Sequence, residues 1–281
     1  MAARHDVGAR TQLPADVDWT RVRLPGLGAE RVALVTGGTG AIGWRTTEAL
    51  AGLGVRVGVM GRSAEAVGAA IDGAPPHLRK RLLAAPGDVS VQADAVTAVD
   101  ALVERYGRLD VLVHCAAMAD SGVDLPHLTV EEIDRLLAVN VKGTLLMAQA
   151  AAAAMRAGGG GSMILIASVG AFRVNAGGTV YGATKAAVVR LARQLAVDLG
   201  PEGVRVNSLS PGQTPTLLRK VGEQPGVPSG SSLGGDADRI PLRRRGLLDD
   251  YAGAVAFLAS DLARYVTGVD LLVDGGVAVC R

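Results

Sequence analysis

The sequence predicts an α/β domain built on a doubly wound parallel sheet of seven strands, with helices on both faces in a three-layer α/β/α sandwich. Two observations carry this. Short apolar runs, mostly rich in Val, Ile or Leu, recur at 32–35, 55–60, 82–85, 111–115, 163–167, 204–209 and 269–273. Stretches with helical spacing fall between them, at 42–53, 91–106, 131–155, 181–199 and 249–259. Apolar strands alternating with helices form a parallel sheet covered on both faces. Seven strands fill one such domain and leave none over for a second. Thr129 followed by Glu132 has the form of a capping box and marks a start for the third helical stretch.

Composition narrows the function. The chain has 281 residues, is 49% hydrophobic and 20% charged, and carries 29 Lys and Arg against 27 Asp and Glu. A net charge of +2 argues against a dedicated nucleic-acid surface. The longest apolar run, 145–155, is interrupted by Gln149 and is too short to span a bilayer. Two cysteines, Cys115 and Cys280, suit a reducing compartment. The N-terminus has no apolar signal core and carries Asp6, Asp16, Asp18 and Glu30, so the expected location is the cytoplasm.

Two segments stand outside the α/β rhythm. Residues 1–29 are polar, with scattered Pro and Gly, and are expected to form a flexible extension ahead of a catalytic domain at 30–281. A tail packed across a subunit is the alternative. From about 213 to 240 there is no sustained period, and Gly, Pro and Ser are dense. A segment of that length in a compact domain is a functional loop or a disordered one, and it is expected to be a substrate lid.

The first strand leads into Thr36-Gly37-Gly38-Thr39-Gly40-Ala41-Ile42-Gly43, which opens the first helix. Glycines let the backbone turn tightly and approach a pyrophosphate, and the helix N-terminus offers free N–H groups. Gly37, Thr39, Gly40, Ile42 and Gly43 are the expected cofactor contacts of this Rossmann-type turn. A plain strand-to-helix turn is the alternative. The second strand ends at Met60-Gly61-Arg62-Ser63, with Gly61 where an NAD-preferring fold usually places an acid. The Arg62 guanidinium suits a 2′-phosphate, so NADP is expected over NAD. A solvated loop arginine is the other reading.

Tyr181 and Lys185 lie four residues apart at the start of a helix, on one face. A phenol with a pKa near 10 is a poor base at neutral pH. A cation about 5 Å away, at an effective dielectric of about 20, favours the phenolate by roughly 3 kcal/mol, or roughly two pKa units. That brings Tyr181 toward the range where it passes a proton both ways. Ser168 ends the fifth strand, where such sheets place ligands, and can orient a substrate oxygen or cap a turn.

These residues and their neighbours resemble the classical short-chain dehydrogenase/reductase family over residues 30–277. The glycine turn, Asp88-Val89, Asn140-Val141-Lys142-Gly143, Ser168, Tyr181 with Lys185, Arg205-Val206-Asn207, Ser210-Pro211-Gly212, Phe257–Asp261, Tyr265–Gly268 and Val273-Asp274-Gly275-Gly276 stand in the family's order and spacing. The resemblance implies an oxidoreductase moving a hydride between NADP(H) and a secondary alcohol or ketone. Catalysis would rest on Asn140, Ser168, Tyr181 and Lys185. Tyr181 would be the acid/base, Lys185 would bind the nicotinamide ribose and lower the Tyr181 pKa, and Asn140 would hold a water linking Lys185 to solvent. Further cofactor contacts would be Asp88, Val89, Cys115, Ala116, Pro211, Gly212, Thr214 and Thr216. No metal is implied, the partner is a small-molecule substrate, and the assembly would be a homotetramer or homodimer built on the last helices and strand.

Two motifs depart from the classical branch. Ala41 stands where its second glycine belongs, and Gly40 one place earlier resembles the extended, epimerase-like branch. His114-Cys115-Ala116-Ala117 replaces Asn-Asn-Ala-Gly. An epimerase or dehydratase with tightly held cofactor is therefore the alternative function. His114 at a strand end reads as a structural hydrogen-bonder, and Cys115 as a small buried residue rather than a nucleophile. Arg173 and Asn175 could reach a polar substrate or lie solvated in their loop, and Arg243-Arg244-Arg245 reads as a solvated or inter-subunit surface.

Overall fold

The computed structural model describes residues 16–174, 177–214 and 237–280. The lid expected at about 213–240 falls for the most part outside them, as do Asn175 and Thr216. The strands are β1 (Val32–Thr36), β2 (Arg56–Met60), β3 (Leu82–Ala84), β4 (Val111–His114), β5 (Gly161–Ile166), β6 (Val204–Pro211) and β7 (Asp270–Val273). They form one sheet in the order β3-β2-β1-β4-β5-β6-β7, and every neighbouring pair is parallel. The chain order reverses between β1 and β4, where Thr36 lies beside His114 at the carboxyl ends of both strands. A sheet of this kind binds ligands in the crevice at such a switch point.

The helices are α1 (Ala41–Gly52), α2 (Ala64–Gly73), α3 (Pro76–Arg79), α4 (Gln92–Tyr106), α5 (Val130–Leu137), α6 (Gly143–Ala157), α7 (Thr179–Leu199) and α8 (Leu248–Ala259). Side chains alternate across each strand. Leu34, Leu112, Met163 and Leu165 pack with α4, α6 and α7 on one face. Val35, Val57, Val113 and Ile164 pack with α1 and α8 on the other. Met147 and Met155 of α6 are fully buried, and each such side chain contributes roughly 1.5–3 kcal/mol by leaving water.

Helix α2 was not foreseen. Val67 is its one buried residue, so it carries no apolar stripe for a period to detect. Its start is set locally instead, by the Ser63 hydroxyl accepting from Ala66 N.

The single helix expected at 131–155 is two helices joined by a π turn, Ala138–Lys142. Together they span 130–157, the one helix among the described residues long and apolar enough to cross a membrane. Its buried face is nevertheless taken by the sheet and by α4. Half of the expected capping box forms. Thr129 Oγ1 accepts from Glu132 N at 3.2 Å, but the Glu132 carboxylate reaches Ser121, accepting from its N at 2.7 Å and its Oγ at 2.9 Å.

The expected flexible extension does not reach residue 29. From residue 16 the chain is laid against the domain. Trp19, 8% exposed, packs with Ala49, Leu53, Ala252 and Ala256. The Asp249 carboxylate accepts from Trp19 Nε1 at 2.9 Å, Val17 N at 3.0 Å and Arg45 Nε at 2.8 Å. These bonds hold Asp249 below the usual carboxylate range despite its partial burial. Composition concealed this strap because one Trp and one distant Asp carry it. Arg244 is not simply solvated either, since it makes two bonds to Asp250, at 2.6 and 3.0 Å.

Candidate active site

Five strand ends and two helix starts converge at the carboxyl edge of the sheet. β1 runs into the glycine turn. Gly37 has φ +61°, and a Cβ there would stand 2.8 Å from Ala116 N. At Gly43 a Cβ would come within 2.2 Å of the Gly37 carbonyl oxygen. The turn is pinned to β2 by Gly38 N donating to Met60 O. Gly40, at the head of α1, offers no side-chain cap to the first-turn N–H groups. Those donors and the positive end of the helix dipole suit an anion. Ala41 is exposed in the first turn of α1, so the departure from the family glycine meets solvent rather than backbone.

The Thr39 side chain lies against Gly61, where a Cβ would stand 3.3 Å from its Oγ1. Arg62 follows, exposed, and makes no ion pair or side-chain hydrogen bond among the described residues. Asp88 Oδ1 accepts from Ser90 N and Oγ at 2.8 and 2.7 Å. Val89 is buried against Gly143.

At the end of β4, His114 is 2% exposed and bonds Thr36 Oγ1 through Nδ1 at 2.9 Å. Burial pushes it down to about 3, with the Lys185 charge adding to the effect. The ring is therefore neutral. Thr36 Oγ1 also accepts from Ala116 N at 3.2 Å. The His114–Thr36–Ala116 chain ties the β4 end to the glycine turn, which is the structural role expected of this histidine. Burial pushes the Cys115 thiol up to about 12, only partly offset by Lys185. A thiol held protonated in this way is no nucleophile.

Asn140 lies in the π turn, and its side chain is committed to protein. Oδ1 accepts from Met118 N and Nδ2 donates to Met118 O and Thr184 Oγ1, each at 2.9 Å. Thr184 Oγ1 in turn donates to Tyr181 O at 2.7 Å. Asn140 thus clamps the loop after β4 to the first turn of α7.

Ser168 follows β5 in extended conformation and forms the turn cap expected of it. Its Oγ accepts from Gly170 N at 3.1 Å, capping the short 3-10 turn Val169–Ala171. Its hydroxyl also lies near the Tyr181 ring, both within 4 Å of where a Cβ at Gly170 would stand, and this proximity favours the phenolate. Burial outweighs that influence and raises the Tyr181 pKa, and the Asp120 charge adds to the rise. Lys185, expected to lower it, is not among the groups that move it here. Lys185 is 3% exposed and donates from Nζ to Ile166 O at 2.8 Å. Its ammonium stands over the Tyr181 ring, 5.7 Å from the centroid. Burial also drops Lys185 itself to about 8.

Asp120 went unnoticed in the sequence. The N-cap of α7 is Gly178, which has no side chain to cap with. Asp120, 6% exposed, supplies the cap from the loop after β4, accepting from Tyr181 N at 2.9 Å and 3.2 Å with its two oxygens. A helix beginning Gly177-Gly178-Thr179 without its own cap was the available signal. Changing Asp120 to Asn keeps an acceptor but removes a charge that raises the Tyr181 pKa. The alkaline limb of the Tyr181 titration, read from the pH profile of alcohol oxidation, should therefore move to lower pH. Asp120→Ala should in addition lower stability by about 1 kcal/mol through loss of the cap. An unchanged profile in Asp120→Asn would remove the electrostatic link.

On the remaining edge β6 ends at Pro211, and Gly212 N donates to Val273 O at 3.0 Å. Thr214 was expected to line the cofactor. Its hydroxyl instead donates to Gly212 O and pairs with the buried Tyr251 phenol. Tyr251 needs a partner, and that need turns Thr214 inward. Arg173, half-buried, donates to Val277 O in the C-terminal turn.

A dinucleotide crevice at the switch point, with Ser168, Tyr181 and Lys185 at its edge, defines the class. The chain belongs to the short-chain dehydrogenase/reductase family. A family profile described as enoyl-(acyl carrier protein) reductase matches residues 38–278. D-threitol dehydrogenase of Mycolicibacterium smegmatis is 35% identical over 95% of this chain and 98% of its own. A 4-formylbenzenesulfonate dehydrogenase of Comamonas testosteroni is 34% identical over 88% of this chain and 97% of its own. The solved structure of a short-chain type dehydrogenase/reductase from Mycobacterium ulcerans superposes with a TM-score of 0.81 at 33% identity, covering 90% of this chain and 92% of that one. The protein is thus an oxidoreductase of a family that transfers hydride with NAD(P)(H) and acts on CH–OH groups.

Proposed function

We propose that the protein interconverts a secondary alcohol and a ketone with NADP(H), using Tyr181 as acid and base. The observation that carries this reading is the gathering of Ser168 and Tyr181 around Gly170 at the strand ends, beside buried Lys185. The cofactor fits the residues present: Gly37 and Gly43 keep the turn tight against its own backbone, and Gly40 leaves the first N–H groups of α1 without a side-chain cap. When bound, NADP(H) supplies or accepts the hydride at its nicotinamide C4. Ser168 orients the substrate oxygen. In reduction the Tyr181 phenol gives its proton to that oxygen, and in oxidation the phenolate takes it back. Lys185, with a pKa near neutrality, is suited to relay the replacement proton and to hold the nicotinamide ribose. A water held at Asn140 would share its main-chain oxygen with the Thr144 hydroxyl, since its side-chain amide is engaged.

The unpaired Arg62 beside Thr39 supports NADP over NAD. Its guanidinium can meet a 2′-phosphate with charge-assisted hydrogen bonds. Arg62→Ala should raise KM for NADP by about tenfold or more, the loss of about 1.4 kcal/mol, and leave KM for NAD little changed. Exposed Leu262, Tyr265, Val269 and Leu272 at the C-terminal end of the fold support a homo-oligomer built there. The experiment that tests the whole reading is a panel of ketones and secondary alcohols followed at the absorbance of reduced nicotinamide. Stoichiometric consumption of NADPH supports it. Product formation without net cofactor turnover would favour the epimerase or dehydratase reading that the His114–Ala117 motif keeps open.

A further inference from the structure

The opposite end of the sheet carries a feature the oxidoreductase reading does not use. Arg56 opens β2, Lys80 and Arg81 lie between α3 and β3, and Arg105 and Tyr106 end α4. These five residues line one hollow of about 410 Å³. The volume is within the range of small-molecule sites.

Solvated cations on a convex face are common and need no ligand. Three observations set this group apart. Arg56 and Arg105 both stand against the Tyr106 ring, 5.1 and 5.7 Å from its centroid. Arg81 is fixed by donating to Gly54 O at 2.7 Å. Three of the four cations are thus anchored to rings or carbonyls. None of the four has a carboxylate partner among the described residues, whereas Arg31, Arg45, Arg108, Arg156 and Arg244 each have one. Like charges gathered in one concavity without counter-charge repel, and a bound anion relieves that repulsion.

We propose that this hollow binds a small polyanion carrying two or more phosphate-type groups. Planar guanidiniums offer paired donors to phosphate oxygens, and Lys80 adds a point charge at the rim. The hollow sits at the amino edge of the sheet, away from the glycine turn, so the two anion sites can be separated by mutation.

The test is calorimetric titration of inorganic pyrophosphate into the full chain at low salt, with tripolyphosphate and ADP as further arms. Saturable binding is expected, weakened at least tenfold in Arg56→Gln/Arg105→Gln and unchanged in Gly43→Ala, which distorts the glycine turn. Lys80→Gln, at an exposed position, should weaken it by a smaller factor without any risk to folding. Preference for tripolyphosphate identifies a bare polyphosphate as the ligand, and preference for ADP a nucleotide. Absence of binding by all three anions overturns the proposal. So does binding that survives Arg56→Gln/Arg105→Gln, or that is lost in Gly43→Ala and so belongs to the cofactor turn. None of these outcomes depends on turnover, so the oxidoreductase reading stands or falls separately.

Discussion

Replacing Tyr181 with phenylalanine is expected to lower kcat by about 10²–10⁴-fold, the usual contribution of a positioned acid or base. Cofactor affinity should be nearly unchanged. The substitution removes one hydroxyl. It leaves the ring, the Lys185 ammonium above it and the Lys185 bond to Ile166 O in place. Because burial raises the Tyr181 pKa, the phenol is protonated at neutral pH and ready to donate. Ketone reduction should therefore be flat through neutrality, while alcohol oxidation, which needs the phenolate, should rise into the alkaline range. Initial rates in both directions across pH check this. Retained turnover in Tyr181→Phe would refute the acid/base assignment.

Gly43→Ala is the second large effect expected, and it acts on binding. The new methyl would lie 2.2 Å from the Gly37 carbonyl oxygen and 3.2 Å from Gly38 Cα. Both obstacles are backbone, and neither can swing aside as a side chain does. Gly37 is itself held between Ala116 and the start of α1. Overpacking of this kind costs about 1–3 kcal/mol, so affinity for NADP(H) should fall by about 10- to 100-fold. Ala41→Gly is the control. Ala41 is exposed, and its replacement should leave affinity close to that of the unaltered protein. Fluorescence titration of NADPH distinguishes the two. Equal affinities in Gly43→Ala and the parent would mean that the turn does not cradle the pyrophosphate.

What was legible in the sequence was local. Each of the seven apolar runs became a strand to within two residues at either end, because strands buried on both faces write continuous apolar text. The pairing of Tyr181 with Lys185 was legible because i and i+4 share a helix face. The direction taken by the Lys185 side chain was not. Spacing places its Cα, but Ile166 O on a neighbouring strand decides where the ammonium goes. The Asp120 cap joins residues 61 apart, and the Trp19–Asp249 bond joins residues 230 apart. No periodicity reports contacts of that range. Helix α2 escaped for the opposite reason, since with Val67 as its only buried residue it has almost no apolar signal to read.

The π turn at Ala138–Lys142 has a further consequence. Each residue of an α-helix advances the chain by about 100° of rotation, and a π turn takes up one residue more than an α turn. It works as a frameshift within the helix's own reading frame. Met147, Ala151 and Met155 reach the sheet only in the shifted frame. Asn140 grips Met118 and Thr184 from inside the shift. Deleting one residue there would rotate the methionines away from the sheet and loosen the hold on α7 in a single event. Core register and the posture of the acid/base helix are therefore inherited together.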